Sequence, residues 1–295
     1  YKRQVQKKAV QLTFHRCDGS TWQKTTLAKG SSYSLPGVRD AEGYTFMGWS
    51  TKPMQSVSPQ YEAEEKITVN GNVDLYAVVF NRTTETDLTE DQLPQVDIYK
   101  YKQVIFVGDS RTEFMENVLT GMGESATKNV KFVCSAGKGL DWFTTTGWAQ
   151  LYSIVQHDSN SILSKKTAVI FNFGVNDLSK SADYAEYYNW IAPQLKSKGC
   201  ELYFMSVNPV NRLMLPNAGR ADRSEAAVRS FNQYMKANLS SAYTYIDMYS
   251  YLKSTGYSFA SDHYGTGTVD DGLHYTTRTY KRIFAKCMDS LRVPA

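Results

Sequence analysis

The chain has 295 residues, more than one ordinary core needs and about right for two domains. Apolar residues make up 42% and charged residues 21%, the usage of soluble globular proteins, which excludes a disordered, collagen-like or disulfide-dense chain. The 33 Lys+Arg against 29 Asp+Glu leave a net charge of only +4, with no basic cluster beyond Lys2-Arg3…Lys7-Lys8, so nucleic acid is not an expected partner. The longest apolar runs, such as Val104–Val107 and Ala168–Phe171, are far short of a membrane span.

Up to about residue 81, apolar and polar residues alternate, as in Val10-Gln11-Leu12-Thr13-Phe14 and in Leu75-Tyr76-Ala77-Val78-Val79-Phe80. Gly30-Ser31-Ser32 and Leu35-Pro36-Gly37 punctuate them, and Ala63-Glu64-Glu65-Lys66 is at most a short turn. This pattern predicts a small sheet-rich domain over residues 1–82. The stretch that follows, rich in Thr, Asp, Glu and Gln, reads as a linker or wrapping segment over residues 83–102. From 103 to 295 short apolar runs alternate with helical spacing. The runs Val104–Val107, Val130–Val133, Ala168–Phe173, Leu202–Val207 and Tyr243–Met248 suit strands buried on both faces.

Between these runs, Tyr184, Tyr187, Ile191 and Leu195 form a helical stripe ending at Gly199. Val228, Phe231, Met235 and Leu239 form another, with Asp222-Arg223-Ser224-Glu225 as its expected capping box. A last helix is expected after His274, with Tyr280, Ile283, Phe284, Cys287 and Leu291 inward. Strands alternating with helices predict a parallel, doubly wound α/β layer, in which ligands bind beyond the carboxyl ends of the strands.

Four motifs fall at those ends. Gly108-Asp109-Ser110-Arg111 closes the first strand, so the serine would open a helix whose N–H groups point at whatever it attacks. Cys134-Ser135-Ala136-Gly137-Lys138-Gly139 closes the second, a glycine-rich loop able to lend an N–H to an oxyanion. Gly174-Val175-Asn176-Asp177 closes the third and offers the Asn176 amide. Asp271-Gly272-Leu273-His274 precedes the last helix, a spacing that lets one turn carry a base and the carboxylate orienting it. A Gly-Asp-Ser tripeptide alone arises by chance in on the order of one chain in ten of this length. The order and placement of all four carry the signal.

As a set, these motifs resemble the successive blocks of the SGNH/GDSL hydrolase superfamily, from about Gln103 to the C-terminus. The resemblance implies a flavodoxin-like three-layer α/β/α fold with a five-stranded parallel sheet and an esterase-type site. Ser110 matches the nucleophile, His274 the base and Asp271 the carboxylate that orients it. The Ser110 N–H, a loop glycine N–H and the Asn176 amide match the oxyanion hole. Gly139 fits the glycine's spacing best and Gly137 is the alternative, because Cys134 stands where the family has Asn. Block one likewise has Arg111-Thr112 in place of the usual Leu.

The N-terminal part, roughly Lys8 to Phe80, resembles a Listeria–Bacteroides (internalin B-type) repeat through its Gly43-Tyr44-x-Phe46-x-Gly48-Trp49 core. That resemblance implies a β-grasp-like fold and a bacterial protein that is secreted or attached to the cell surface, with contact to cell wall or host surface through the repeat. The plainer reading of Gly48 and Trp49 is a turn glycine and a core aromatic.

The expected activity is hydrolysis of short-chain, acetyl esters on an acylated carbohydrate or other small ester, with no cofactor. The competing expectations are a surface adhesin or glycan-binding protein that carries the SGNH fold without hydrolysis, and an acyltransferase to sugar. Arg111 would bind a substrate anion or turn away to pair with an acid or solvent, Trp142 would stack on a sugar ring, and Asn208 would edge the pocket. No metal is expected, since His15, His157 and His263 lack ligand spacing, and His263 competes only weakly with His274 as base. Cys17, Cys134, Cys200 and Cys287 read as buried thiols, with a Cys200–Cys287 bridge left open. Tyr1 in place of Met reads as the start of an excised or processed fragment from which a targeting segment has been removed.

Overall fold

The alternation that begins at Ala9 builds an N-terminal module of six strands. The computed structural model describes residues 8–156, 166–260 and 270–291, and strands β1 (Ala9–His15), β2 (Thr21–Ala28), β3 (Ser31–Ser34), β4 (Tyr44–Ser50), β5 (Lys66–Val69) and β6 (Val73–Asn81) lie in its first part. Four of them form a sheet in the order β2-β1-β6-β4. There β1 runs parallel to β6, and the outer strands are antiparallel to their neighbours. Strands β3 and β5 pair separately.

Val10, Leu12, Phe14 and Leu75 turn one face of this sheet inward around Trp49, whose indole N–H donates to the Pro36 carbonyl at 2.8 Å. A register shift between Phe46 and Gly48 sends Met47 to the opposite face. Met47 there joins Val78 and Phe80 in the hydrophobic core of the second domain.

Residues 83–101 wrap that second domain. Leu93, Val96 and Tyr101 are buried in the same core. The buried Glu85 carboxylate accepts from Ser258 Oγ at 2.6 Å and pairs with Arg282 at 3.0 Å.

The second domain is built on a sheet of β7 (Gln103–Gly108), β8 (Val130–Cys134), β9 (Thr167–Asn172), β10 (Cys200–Met205) and β11 (Tyr243–Ile246). All its pairings are parallel and the order is β11-β10-β9-β7-β8, the flavodoxin-like arrangement expected. Every residue of β7 and β9 is buried, so these strands carry continuous apolar runs rather than alternation.

Helices α1 (Ser110–Met122) and α7 (Thr277–Ser290) cover one face through Phe114, Met115, Ile283 and Phe284. A short helix α2 (Leu140–Trp142) leads through a π-helical turn at Phe143–Gly147 into α3 (Trp148–Gln156). With α4 (Ser181–Ser197) and α5 (Glu225–Asn238) it covers the other face, while α6 (Met248–Thr255) follows β11.

Three expectations are corrected. The α5 cap is Ser224, which accepts from Ala227 N at 3.0 Å, so no Asp222–Glu225 box forms. Tyr188 joins Tyr184 as a fully buried tyrosine of α4, in the place expected of Tyr187, which is only half-buried. All four cysteines are free: Cys17 is exposed, Cys134 half-buried, and Cys287 Sγ lies 3.4 Å from Met205 Sδ rather than on Cys200.

Candidate active site

The sheet order reverses between β7 and β9, so the loops after these strands diverge and leave a crevice at their carboxyl ends. Gly108 is the last residue of β7 and pairs with Asn172 and Cys134. No other residue fits there, since a Cβ would stand 1.9 Å from Thr112 Oγ1 and 2.8 Å from the Asn172 carbonyl. The chain then turns directly into α1. The Asp109 side chain caps α1 by accepting from Arg111 N at 3.0 Å, and its burial pushes that carboxyl up to about 6. The Ser110 N–H is one of the donors that a first helical turn leaves without a backbone partner.

Ser110, His274 and Asp271 form one hydrogen-bonded chain. His274 Nε2 lies 2.9 Å from Ser110 Oγ, and its Nδ1 lies 2.7 Å from Asp271 Oδ2. The second oxygen of Asp271 accepts from the Leu273 and His274 amides at 2.9 and 2.8 Å. The turn itself therefore locks the carboxylate. Although burial opposes its charge, these bonds hold Asp271 below the usual carboxylate range. Phe114 stacks on the imidazole with centroids 4.3 Å apart. Burial, helped by the Arg111 and Arg220 cations, outweighs Asp271 and lowers the His274 pKa, which leaves a neutral ring able to accept a proton.

Asn176 and Gly139 come from the two neighbouring loops. Asn176 Nδ2 donates to the Lys138 carbonyl at 2.8 Å and keeps a second proton. Gly139 is the N-cap of α2, and its N–H donates no hydrogen bond among the described residues. A Cβ on Gly139 would lie 2.3 Å from Asp177 Oδ2, the oxygen that accepts the Leu140 amide at 2.9 Å. Gly137 is a glycine for another reason: its φ of +70° is left-handed and open space surrounds it.

The expected substrate contacts fare differently. Arg111 is closed off from solvent and, among the described residues, pairs with no acid. It is 2% exposed, and its guanidinium donates to the carbonyls of Leu273, Asn208 and Pro209 at 3.0, 2.9 and 2.9 Å. Trp142 leans on Phe173 at 6.1 Å and over Gly147, at the edge of the core. Asn208 is buried with its Oδ1 unpaired among the described residues. His15 binds Asp74 and the Gly19 carbonyl far off in the N-terminal module. His157 and His263 lie outside the described residues.

Sequence reasoning missed two arginines on the loop after β10. Arg220 donates to Asp271 Oδ2 at 3.2 Å, and Arg223 donates to Asn176 Oδ1 at 2.7 Å. The crowding of Arg212, Arg220 and Arg223 into one loop was their only signal in the sequence.

Two family models match the chain. The Listeria-Bacteroides repeat domain matches residues 11–78, and the GDSL-like lipase/acylhydrolase matches residues 104–287, well over half of the sequence. The chain belongs to the GDSL-like lipase/acylhydrolase family. Its C-terminal domain is a hydrolase of the SGNH type.

Solved structures with a similar fold include a GDSL-like lipase from Bacteroides thetaiotaomicron, 17% identical with a TM-score of 0.42, covering 64% of this chain and 87% of its own. An acetyl xylan esterase is 11% identical with a TM-score of 0.43, over 64% and 98%. The catalytic domain of peptidoglycan O-acetyltransferase A from Streptococcus pneumoniae is 16% identical with a TM-score of 0.37, over 65% and 93%. A comparison with curated protein sequences returns no match. Among the described residues, no cluster of His, Cys, Asp or Glu is suited to hold a metal, and no helix is long and apolar enough to cross a membrane.

Proposed function

We propose that this GDSL-family hydrolase is a serine esterase in which Ser110 attacks an ester carbonyl and His274 takes its proton. The observation that carries this reading is the continuous chain from Ser110 Oγ through His274 to Asp271, with contacts of 2.9 and 2.7 Å, at the start of a helix. Attack forms a bond from Ser110 Oγ to the carbonyl carbon and moves the carbonyl electron pair onto oxygen. The Ser110 and Gly139 N–H groups and the Asn176 amide are the donors for that oxyanion. As the intermediate collapses, His274 returns the proton to the departing alcohol. Water, deprotonated by the same imidazole, then releases the acid and restores Ser110.

The substrate we assign is a short acyl ester, acetyl above all, on a polysaccharide or cell-wall glycan. What supports this is the polarity beside the triad: Asp109 precedes a serine that is only 6% exposed, Arg220 donates to Asp271 and Arg223 donates to Asn176, a setting suited to a small acyl group on a polar alcohol. We further place the protein outside the cell or on its surface, on the strength of its Listeria-Bacteroides repeat.

Fluorophosphonate labelling read by intact mass, wild type beside Ser110→Ala, tests the nucleophile, and p-nitrophenyl esters from acetate to octanoate test the acyl length. The expected result is one adduct, absent from the variant, with acetate turned over fastest. Absence of both adduct and turnover on every ester would overturn the esterase reading and leave a binding protein. Faster product release with added sugar than with water alone would identify a transferase.

A further inference from the structure

A primary amide presents two similar ends, and Asn176 can serve an oxyanion only in the flip that turns its NH₂ toward the reacting carbonyl. In the structure that flip is dictated from outside. Arg223 Nη2 donates to Asn176 Oδ1 at 2.7 Å, while Asn176 Nδ2 donates to the Lys138 carbonyl at 2.8 Å. Guanidinium has no acceptor, and a carbonyl has no donor. Reversing the amide would therefore set NH₂ against guanidinium and oxygen against oxygen, losing both bonds at once. Arg223 is itself fixed, since its Nε donates to the Val175 carbonyl at 2.6 Å and its Nη1 to the Ala221 carbonyl at 2.9 Å.

The loop that presents Arg223, residues 211–223, is in turn held by the N-terminal module. Arg39 donates to the Leu213 carbonyl at 2.8 Å and to Asn217 Oδ1 at 2.7 Å. Asn211 Nδ2 donates to Asp40 Oδ1 at 2.7 Å and to the Val38 carbonyl at 3.1 Å. Glu64 pairs with Arg212 at 3.4 Å and accepts from Ala226 N, in the first turn of α5, at 3.2 Å. Arg212 in turn donates to both oxygens of Asp222 at 2.6 and 2.7 Å, so Glu64 of the module reaches, through Arg212 and Asp222, the residue next to Arg223 in the chain.

We propose that Arg223 is a positioning residue that fixes the Asn176 amide with its donor toward the substrate, and that the N-terminal module holds Arg223 in place through this loop. The inference rests on the esterase reading above. It gives the module a part in turnover that a spacer would not have.

Arg223→Met keeps the apolar stem and removes the guanidinium. Loss of one oxyanion donor typically costs about two to three orders of magnitude in rate, so leaving the donor free to rotate is expected to lower kcat by roughly 10- to 100-fold, with KM within about twofold. Because Arg223 acts through Asn176, adding Arg223→Met to Asn176→Ala is expected to cost less than about twofold more. Arg223→Lys, with a single donor head, restores part of the loss. Arg39→Met, far from the chemistry, is expected to lower kcat by about two- to tenfold in the wild-type background and to do nothing further in the Arg223→Met background.

Wild-type turnover in Arg223→Met, or losses that multiply with those of Asn176→Ala, would overturn the proposal. Should Arg223→Met fail to fold, Arg223→Lys and Arg39→Met carry the same test, and unchanged kcat in both is a refutation. Fluorophosphonate labelling separates the two readings. A wild-type protein that is never labelled at Ser110 defeats the esterase assignment. One that is labelled and active, with variants equally active, defeats this inference alone.

Discussion

Replacing Arg111 with Met tests whether the residue after the nucleophile serves the substrate or the fold. Its guanidinium makes three hydrogen bonds of 2.9 to 3.0 Å to backbone carbonyls and lies 5.1 Å from the centre of the Tyr275 ring. One accepting carbonyl belongs to Leu273, next to His274, and the other two belong to the chain leaving β10. Hydrogen bonds to a charged group are worth about 1.5–3 kcal/mol each, and a buried carbonyl left without a partner costs about 1–3 kcal/mol. The three are not additive, and water reaching the freed carbonyls recovers part. The expected loss is about 3–5 kcal/mol of stability, a fall in melting temperature on the order of 10 °C for a protein of this size. Arg111→Lys keeps the charge but not the fork, and is expected to lose most of the same stability. The assay is a thermal or urea melt beside turnover of one anionic and one neutral acetyl ester. Activity should fall by the same factor on both, because what suffers is the placement of His274. A melting temperature within about 2 °C of wild type, or a loss confined to the anionic ester, would refute the reasoning.

Three other outcomes follow from the same geometry. Gly139→Ala drives a methyl group into the Asp177 carboxylate, so it is expected to lose at least about tenfold in kcat and about 1–3 kcal/mol in stability, whereas Gly137→Ala meets only the strain of a left-handed φ, about 1–2 kcal/mol, and should keep near wild-type turnover; steady-state kinetics on the pair decides which glycine serves the oxyanion. The lowered pKa of His274 places the acidic limb of the kcat/KM profile below the ordinary imidazole value, since the base is lost only as pH falls through that lowered pKa; Arg220→Met removes one of the cations that lower it, and the limb should move to higher pH, with an unmoved limb counting against a role for Arg220. Lys253 pairs with Glu225 and Glu62 at 2.9 Å each and donates to the Met47 carbonyl at 3.0 Å, so Lys253→Met strands the buried Glu225 carboxylate beside the half-buried Glu62 and should cost about 3–5 kcal/mol in a urea melt.

The strand ends were readable because their chemistry is local. Gly108, Ser110, Asn176, Asp271 and His274 each follow or precede an element whose apolar run announces it, and a parallel sheet gathers such ends on one edge. What was not readable depends on partners far away in sequence. Arg111 finds carbonyls 162, 97 and 98 residues on, and backbone acceptors leave no mark in a sequence. Arg220 and Arg223 look like any cations in a polar loop until the fold sets them beside Asp271 and Asn176. Met47 faces the other domain only because the strand slips register at Gly48, a bulge that strict alternation does not foresee. Glu225 looked like half of a capping box, yet it is buried against Lys253 and Tyr249, because a capping pattern says nothing of which helical face meets the core.

That buried junction bears on whether the two domains melt apart. Met47, Val78 and Phe80 of the N-terminal module are 0%, 0% and 6% exposed within the core of the hydrolase domain, and Gly256 stands so close to the Phe80 ring that a Cβ there would lie 2.2 Å from it. Burying three such side chains contributes roughly 5–9 kcal/mol as an upper estimate. Even 5 kcal/mol leaves fewer than about one molecule in a thousand undocked, at 1.4 kcal/mol for each factor of ten. The module and the hydrolase therefore unfold as one unit, and calorimetry should record a single transition whose van't Hoff and calorimetric enthalpies agree. Two resolved transitions in the wild-type chain would show that the shared core contributes far less than its burial implies. They would also remove the physical basis for a module that steadies the loop of Arg220 and Arg223.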